Sequence, residues 1–119
     1  MTDKLIKNIE HSTPFALAEL VEYNEGKVTS LTLAQKPGVG ITLFAFDEGE
    51  GVSTHAAPGD AMAVILDGEA EITIDGTSYH AKAGYGIVMP SGIPHAVKSV
   101  TRFKMLLTVV KNINENGRT

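Results

Sequence analysis

The chain has 119 residues, enough for one domain with a real core and too few for a second sizeable module. Fourteen acidic against ten basic side chains give a net charge of −4, and no basic run occurs, which argues against a phosphate-neutralising nucleic-acid surface. Cysteine is absent, so thiolate nucleophiles, cysteine-based zinc sites and disulfides are excluded together.

The first residues, Met1 to Asn8, carry no apolar core of a secretory signal, and no apolar run approaches the ~20 residues that cross a bilayer. A cytoplasmic protein without membrane contact is the expectation. Ser12 or Thr13 is expected to cap a short helix that Pro14 opens and that runs from Phe15 to Leu20. From Val28 onward the text reads as strands. Ile41 to Phe46 is apolar except for Thr42, the mark of a strand covered on both faces. Glu69 to Asp75 alternates polar and apolar residues, as a half-buried strand does. Arg102 to Met105 alternates as well, and Leu106 to Val110 then becomes apolar on both sides.

Turn chemistry separates these runs. Asp67-Gly68 and Asp75-Gly76 are both expected to form tight hairpin turns, and Lys36-Pro37-Gly38, Asp47 to Gly51 and Pro58-Gly59 mark others. Twelve glycines and five prolines, spread along the chain, imply many short strands packed as a sandwich or small barrel. The expected division is an N-terminal segment with a short helix and a first strand (1–27), a barrel (28–111) and a flexible tail (112–119).

Two stretches carry more than composition. The first runs from Gly51 through His55, Ala57 and Ala61 to Gly68; the second from Gly84 through Pro90, Gly92 and Pro94 to His95. Together they resemble the paired motifs of the cupin superfamily. The glycines, Pro90 and His95 fall in place, whereas Ala57 stands where the first motif has its second histidine and Ala61 where it has its glutamate. The resemblance spans Gly51 to about Ser99 and implies an all-β, double-stranded β-helix (a jelly-roll barrel) with the short N-terminal helix added.

The resemblance also implies a pocket at the open end of that barrel, with His55 and His95 converging. Alternation along one strand would turn Ser53, His55, Ala57, Ala61 and Ala63 inward together. Met89, Phe103 and Met105 are further candidates for its wall; the alternative is that Phe103, Met105 or Phe44 fills the space the alanines leave. Asp60, one residue from the lost glutamate position, is expected to point outward, and His80 and His11 are not linked to the site by alternation. Where cupins keep all four ligands they hold a divalent metal, so His55 and His95 are the candidate ligands of a weak Zn, Fe, Mn or Ni site.

Three functions fit this reading. One is a metal-poor or weakly metal-binding cupin that holds a small molecule, such as a carbonyl or carboxylate compound, between the two imidazoles. A second is a metal-dependent isomerase, dioxygenase or decarboxylase with an unrecognised third ligand. A third is a structural or interaction role. All three are compatible with a homodimer, as cupins of this kind commonly pair through their sheets, and the apolar Leu106 to Val110 strand is a candidate part of that surface.

Overall fold

The computed structural model describes residues 4–113. Nine strands follow one another: β1 (Val28–Lys36), β2 (Val39–Phe46), β3 (Gly51–His55), β4 (Asp60–Asp67), β5 (Glu69–Ile74), β6 (Thr77–Lys82), β7 (Gly86–Met89), β8 (His95–Ser99) and β9 (Phe103–Val110). They form a five-stranded sheet in the order β1-β2-β9-β4-β7 and a four-stranded sheet in the order β3-β8-β5-β6. Neighbours pair antiparallel throughout. This is the expected double-stranded β-helix. The expected tail begins with Asn112 and Ile113, both exposed, and its remainder lies outside the described residues.

Strand β2 shows why the five-stranded sheet needs apolar residues on both faces. Phe44 and Phe46 turn into the space between the sheets, where Phe46 stacks on Phe103 of β9 at 4.5 Å between ring centres and an 8° tilt. Leu43 and Ala45 turn the other way and are fully buried under Val21, with Ile9, Leu17, Leu20 and Tyr23 beside them. Leu106 of β9, opposite Leu43, joins this outer cluster. The N-terminal segment thus roofs its own sheet, and part of the apolar strand expected to serve a dimer is already covered. Lys104 Nζ donates to the Ala18 carbonyl at 2.7 Å, the Tyr23 hydroxyl donates to Asp67, and the Arg102 guanidinium lies 4.4 Å above the Tyr23 ring.

That roofing role shortens the expected helix. Only a four-residue 3-10 turn forms, Leu17–Leu20, and its N-cap is Ala16 without a side-chain bond. Thr13 bonds the His11 carbonyl instead, and Ser12 adopts a φ of 60°. An isolated helix this short has little stability of its own, so covering the sheet decides the conformation. The strand expected within 1–27 is also absent among the described residues, since β1 is the first to form.

The two Asp-Gly pairs diverge. Asp75 and Gly76 have φ of 49° and 83° and close a tight β5–β6 hairpin, as their type requires. Asp67-Gly68 is no hairpin: β4 and β5 lie in different sheets, and Gly68 is the corner between them. Here φ is +74°, and a Cβ would stand 2.0 Å from the Arg102 carbonyl oxygen and 2.9 Å from the Phe103 Cα. The residue must be glycine because two backbones touch.

Candidate functional site

The chain reaches the open end of the barrel twice, once at the end of β3 and once at the start of β8. His55 and His95 stand directly opposite each other in the antiparallel β3–β8 ladder. Their rings meet edge to face, 4.5 Å between centres and 68° apart. His95 is buried at 8% exposure, whereas His55 is exposed at the rim.

Both rings are oriented by their own backbone. His55 Nδ1 donates to the Ser53 carbonyl at 3.1 Å, and His95 Nδ1 donates to the Ile93 carbonyl at 3.2 Å. A carbonyl oxygen only accepts, so in each neutral ring Nδ1 carries the proton and Nε2 keeps a lone pair. His95 Nε2 has no hydrogen-bond partner among the described residues, yet no buried side-chain nitrogen is left unpartnered. It therefore opens onto accessible space.

That space is a cavity of about 210 Å³. The five-stranded sheet gives it a far wall of Phe44, Ala61, Met89, Met105, Leu107 and Val109, and the histidines with Val52 and Val97 form the near wall. Among the described residues, no Lys, Arg, Asp or Glu lines it. Its closed end is stopped by Phe46, itself backed by the Phe103 ring.

Three hydrogen bonds lash the two motif loops together at the mouth. Gly92 N–H donates to the Ala57 carbonyl at 2.9 Å, Gly59 N–H to Ser91 Oγ at 2.8 Å, and Ser91 N–H to Asp60 Oδ1 at 2.9 Å. Asp60 does point out of the cavity, and that outward turn gives it Ser91 as a partner. Sequence reasoning missed Ser91. The only signal was a hydroxyl beside Pro90 in one motif and a carboxylate beside Gly59 in the other.

Of the expected site residues, His55, Ala57, Ala61, Met89, His95 and Met105 are brought together at the cavity, and Ser53, Ala63 and Phe103 are not. Ser53 is exposed and contributes only its carbonyl. The reason is a register shift: Val52 faces Val97 and His55 faces His95, three residues on β3 against two on β8. The extra residue reverses the alternation, so Val52 and His55 share the cavity and Ser53 does not. Ala63 sits one rung deeper than Ala61, fully buried against the core. Phe103 lies behind Phe46 and only backs the wall.

The alternation expected from His55 through Ala61 fails in its reasoning while its end points hold. The two residues are on different sheets, and the Ala56 to Gly59 connection carries the chain across the mouth.

The other histidines stay apart. His80, on edge strand β6, sits between Glu69 at 2.9 Å and Glu71 at 3.4 Å, and these two hydrogen bonds, Glu69 first, raise its pKa. His11 is exposed and bonds the Ile6 carbonyl. A larger apolar groove of about 760 Å³, reaching Leu5, Ile6, Phe15 and Leu106, is the seam between the N-terminal segment and the outer sheet face. Its polar lining is Glu10, His11, Ser12 and Thr13, all exposed and all on the N-terminal segment.

A tightly held divalent ion needs about three protein donors. No group of three or more His, Asp or Glu side chains arranged to hold a metal ion occurs among the described residues, and none of their carboxylates lines the cavity. The residues present do not fit a full metal centre, and no chemistry is derived through one. No described helix is long and apolar enough to cross a membrane.

Comparison with known proteins places this geometry. The model of the cupin domain matches residues 42–111. A conserved protein of unknown function from Streptococcus pyogenes is 46% identical, with a TM-score of 0.91 over 94% of this chain and 98% of its own. A cupin superfamily protein from Desulfitobacterium hafniense is 37% identical, with a TM-score of 0.86 over 90% of this chain and 98% of its own. Salicylate 1,2-dioxygenase from Pseudoaminobacter salicylatoxidans, 14% identical with a TM-score of 0.63 over 70% of this chain and 25% of its own, shares the fold alone. No curated protein matches. A barrel of two antiparallel sheets, a histidine pair at its open end and a family match across most of the strands lead to one conclusion: the chain belongs to the cupin family.

Proposed function

We propose that this cupin is a small-molecule-binding protein whose pocket is the cavity between His55 and His95, with at most weak affinity for a divalent metal. The observation that carries the reading is a built apolar cavity with two fixed imidazoles and no carboxylate on its wall. Apolar walls with a few convergent polar groups are the usual anatomy of a ligand site. Alanine at positions 57 and 61 supports the reading twice: it removes donors a metal would need and leaves room an organic molecule can use.

The test is metal analysis of protein purified without chelator, beside the His55→Ala and His95→Ala variants. Substoichiometric metal, unchanged by the substitutions, is expected. Stoichiometric Zn, Fe, Mn or Ni lost from both variants would overturn the reading in favour of a metal-dependent enzyme.

Pairing of two copies is proposed with it. The part of the outer face beyond the N-terminal segment leaves Met62, Val88 and Val110 about half exposed, and Met62 and Val88 are neighbours in the β4–β7 ladder. Light scattering at micromolar concentration should give a dimer, and a monomer would refute this point.

A further inference from the structure

We infer that the occupant of this cavity is an uncharged, single-ring molecule bearing an O–H or N–H donor, with phenol as the simplest example. The inference rests on the reading of the cavity as a ligand site and narrows what that ligand is. Size comes first. An apolar protein cavity of about 150 Å³ takes one benzene, and this one measures about 210 Å³, room for one ring and a small substituent.

Charge comes next. Among the described residues no Lys, Arg, Asp or Glu lines the wall to pair with a buried carboxylate or ammonium. Direction of hydrogen bonding decides the rest. Both Nδ1 protons are spent on backbone carbonyls two residues upstream, Ser53 for His55 and Ile93 for His95. An imidazole whose single proton is on Nδ1 has a lone pair left on Nε2, an acceptor. A carbonyl or carboxylate ligand offers only acceptors and finds nothing to bond. A hydroxyl or ring N–H finds a partner, while the ring it is attached to meets Phe44, Leu107 and Val109.

The experiment is an NMR titration of the full chain, treated with chelator, using phenol, anisole and benzoate. Anisole keeps the ring and oxygen of phenol and replaces the donor proton by a methyl group. Phenol is expected to bind about five- to tenfold tighter than anisole, the value of one neutral hydrogen bond, with benzoate weaker than both. His55→Leu, at the exposed rim, should reduce that preference, and nitrogen-detected spectra of the imidazoles should show protons on Nδ1. Equal binding of phenol and anisole overturns the donor requirement while leaving the pocket as a ligand site. Benzoate binding tighter than phenol, or phenol binding that needs added metal, overturns the inference. Absence of binding by all three overturns it together with the reading on which it rests.

Discussion

Replacing Ala61 by leucine separates a ligand cavity from a packed core. The Ala61 side chain projects from β4 into the cavity between Met89 and Val109, its partners across the two ladders. Leucine adds three carbons, and burying them gains about 0.8 kcal/mol each, or about 2.4 kcal/mol. Loss of rotamer freedom takes back about 0.5–1 kcal/mol. Space is sufficient, because the six carbons of benzene need only about 150 Å³ and about 210 Å³ is open. The variant should therefore be more stable by about 1.5 kcal/mol, a rise in melting temperature of roughly 5–7 °C for a domain of this size. Phenol binding should weaken at least tenfold in the same protein. Calorimetry and the NMR titration read the two effects separately. If the region is already filled, the added methyl groups overpack it, and overpacking costs about 1–3 kcal/mol. A destabilised Ala61→Leu protein would thus refute the cavity.

Gly68→Ala should destabilise by more than about 2 kcal/mol, because the added carbon meets backbone on β9 and not a movable side chain, at positive φ; a denaturation midpoint equal to the parent's would contradict the corner geometry. Tyr23→Phe should cost about 1 kcal/mol by denaturant unfolding, since it removes the bond to Asp67 that ties the roofing segment to the barrel. Burial and then that hydrogen bond raise the Tyr23 pKa, so spectroscopic titration should show its ring ionising above the ordinary tyrosine range, and a normal Tyr23 titration would contradict the bond. His80 has a folded pKa raised by Glu69 and Glu71, so its contribution is complete below the unfolded value and fades as pH rises through the folded one. The melting-temperature gap between parent and His80→Ala should be widest at about pH 5 to 6 and close by about pH 9. A gap constant across that range would remove the ion pairs as its cause.

The sequence showed the fold class because strand and turn signals are local. Burial of β2 on both faces could be read from Ile41 to Phe46, although what covers its outer face could not. The roof is made by Leu17, Leu20 and Val21, whose spacing also suits a helical turn, and only the sheet beneath decides between them. Asp67-Gly68 and Asp75-Gly76 look alike in the text, yet one is a corner and the other a hairpin, because the difference lies in which sheet receives the next strand. At the site, the histidine pair was legible from the motifs. Its neighbours were assigned by strict alternation, and a single extra residue in β3 between Val52 and His55 was enough to exclude Ser53. Phe103 and Ala63 have the right parity but the wrong depth, which periodicity does not encode.

The same backbone feature appears on both sides of the histidine pair. Each imidazole is held by a carbonyl two residues before it, one on β3 and one on the loop that enters β8. Orientation of the rings is thus supplied within each segment and does not depend on a shared ligand between them. Alanine at positions 57 and 61 adds no donor to the cavity, and the two imidazoles keep their backbone bonds without one. The loop bonds among Ala57, Gly59, Asp60, Ser91 and Gly92 likewise tie the two loops at the mouth to each other. A site whose polar groups are fixed before anything binds spends little of its binding free energy on ordering them. That preorganisation suits selective binding of a small molecule whose few atoms can make only one or two directional contacts.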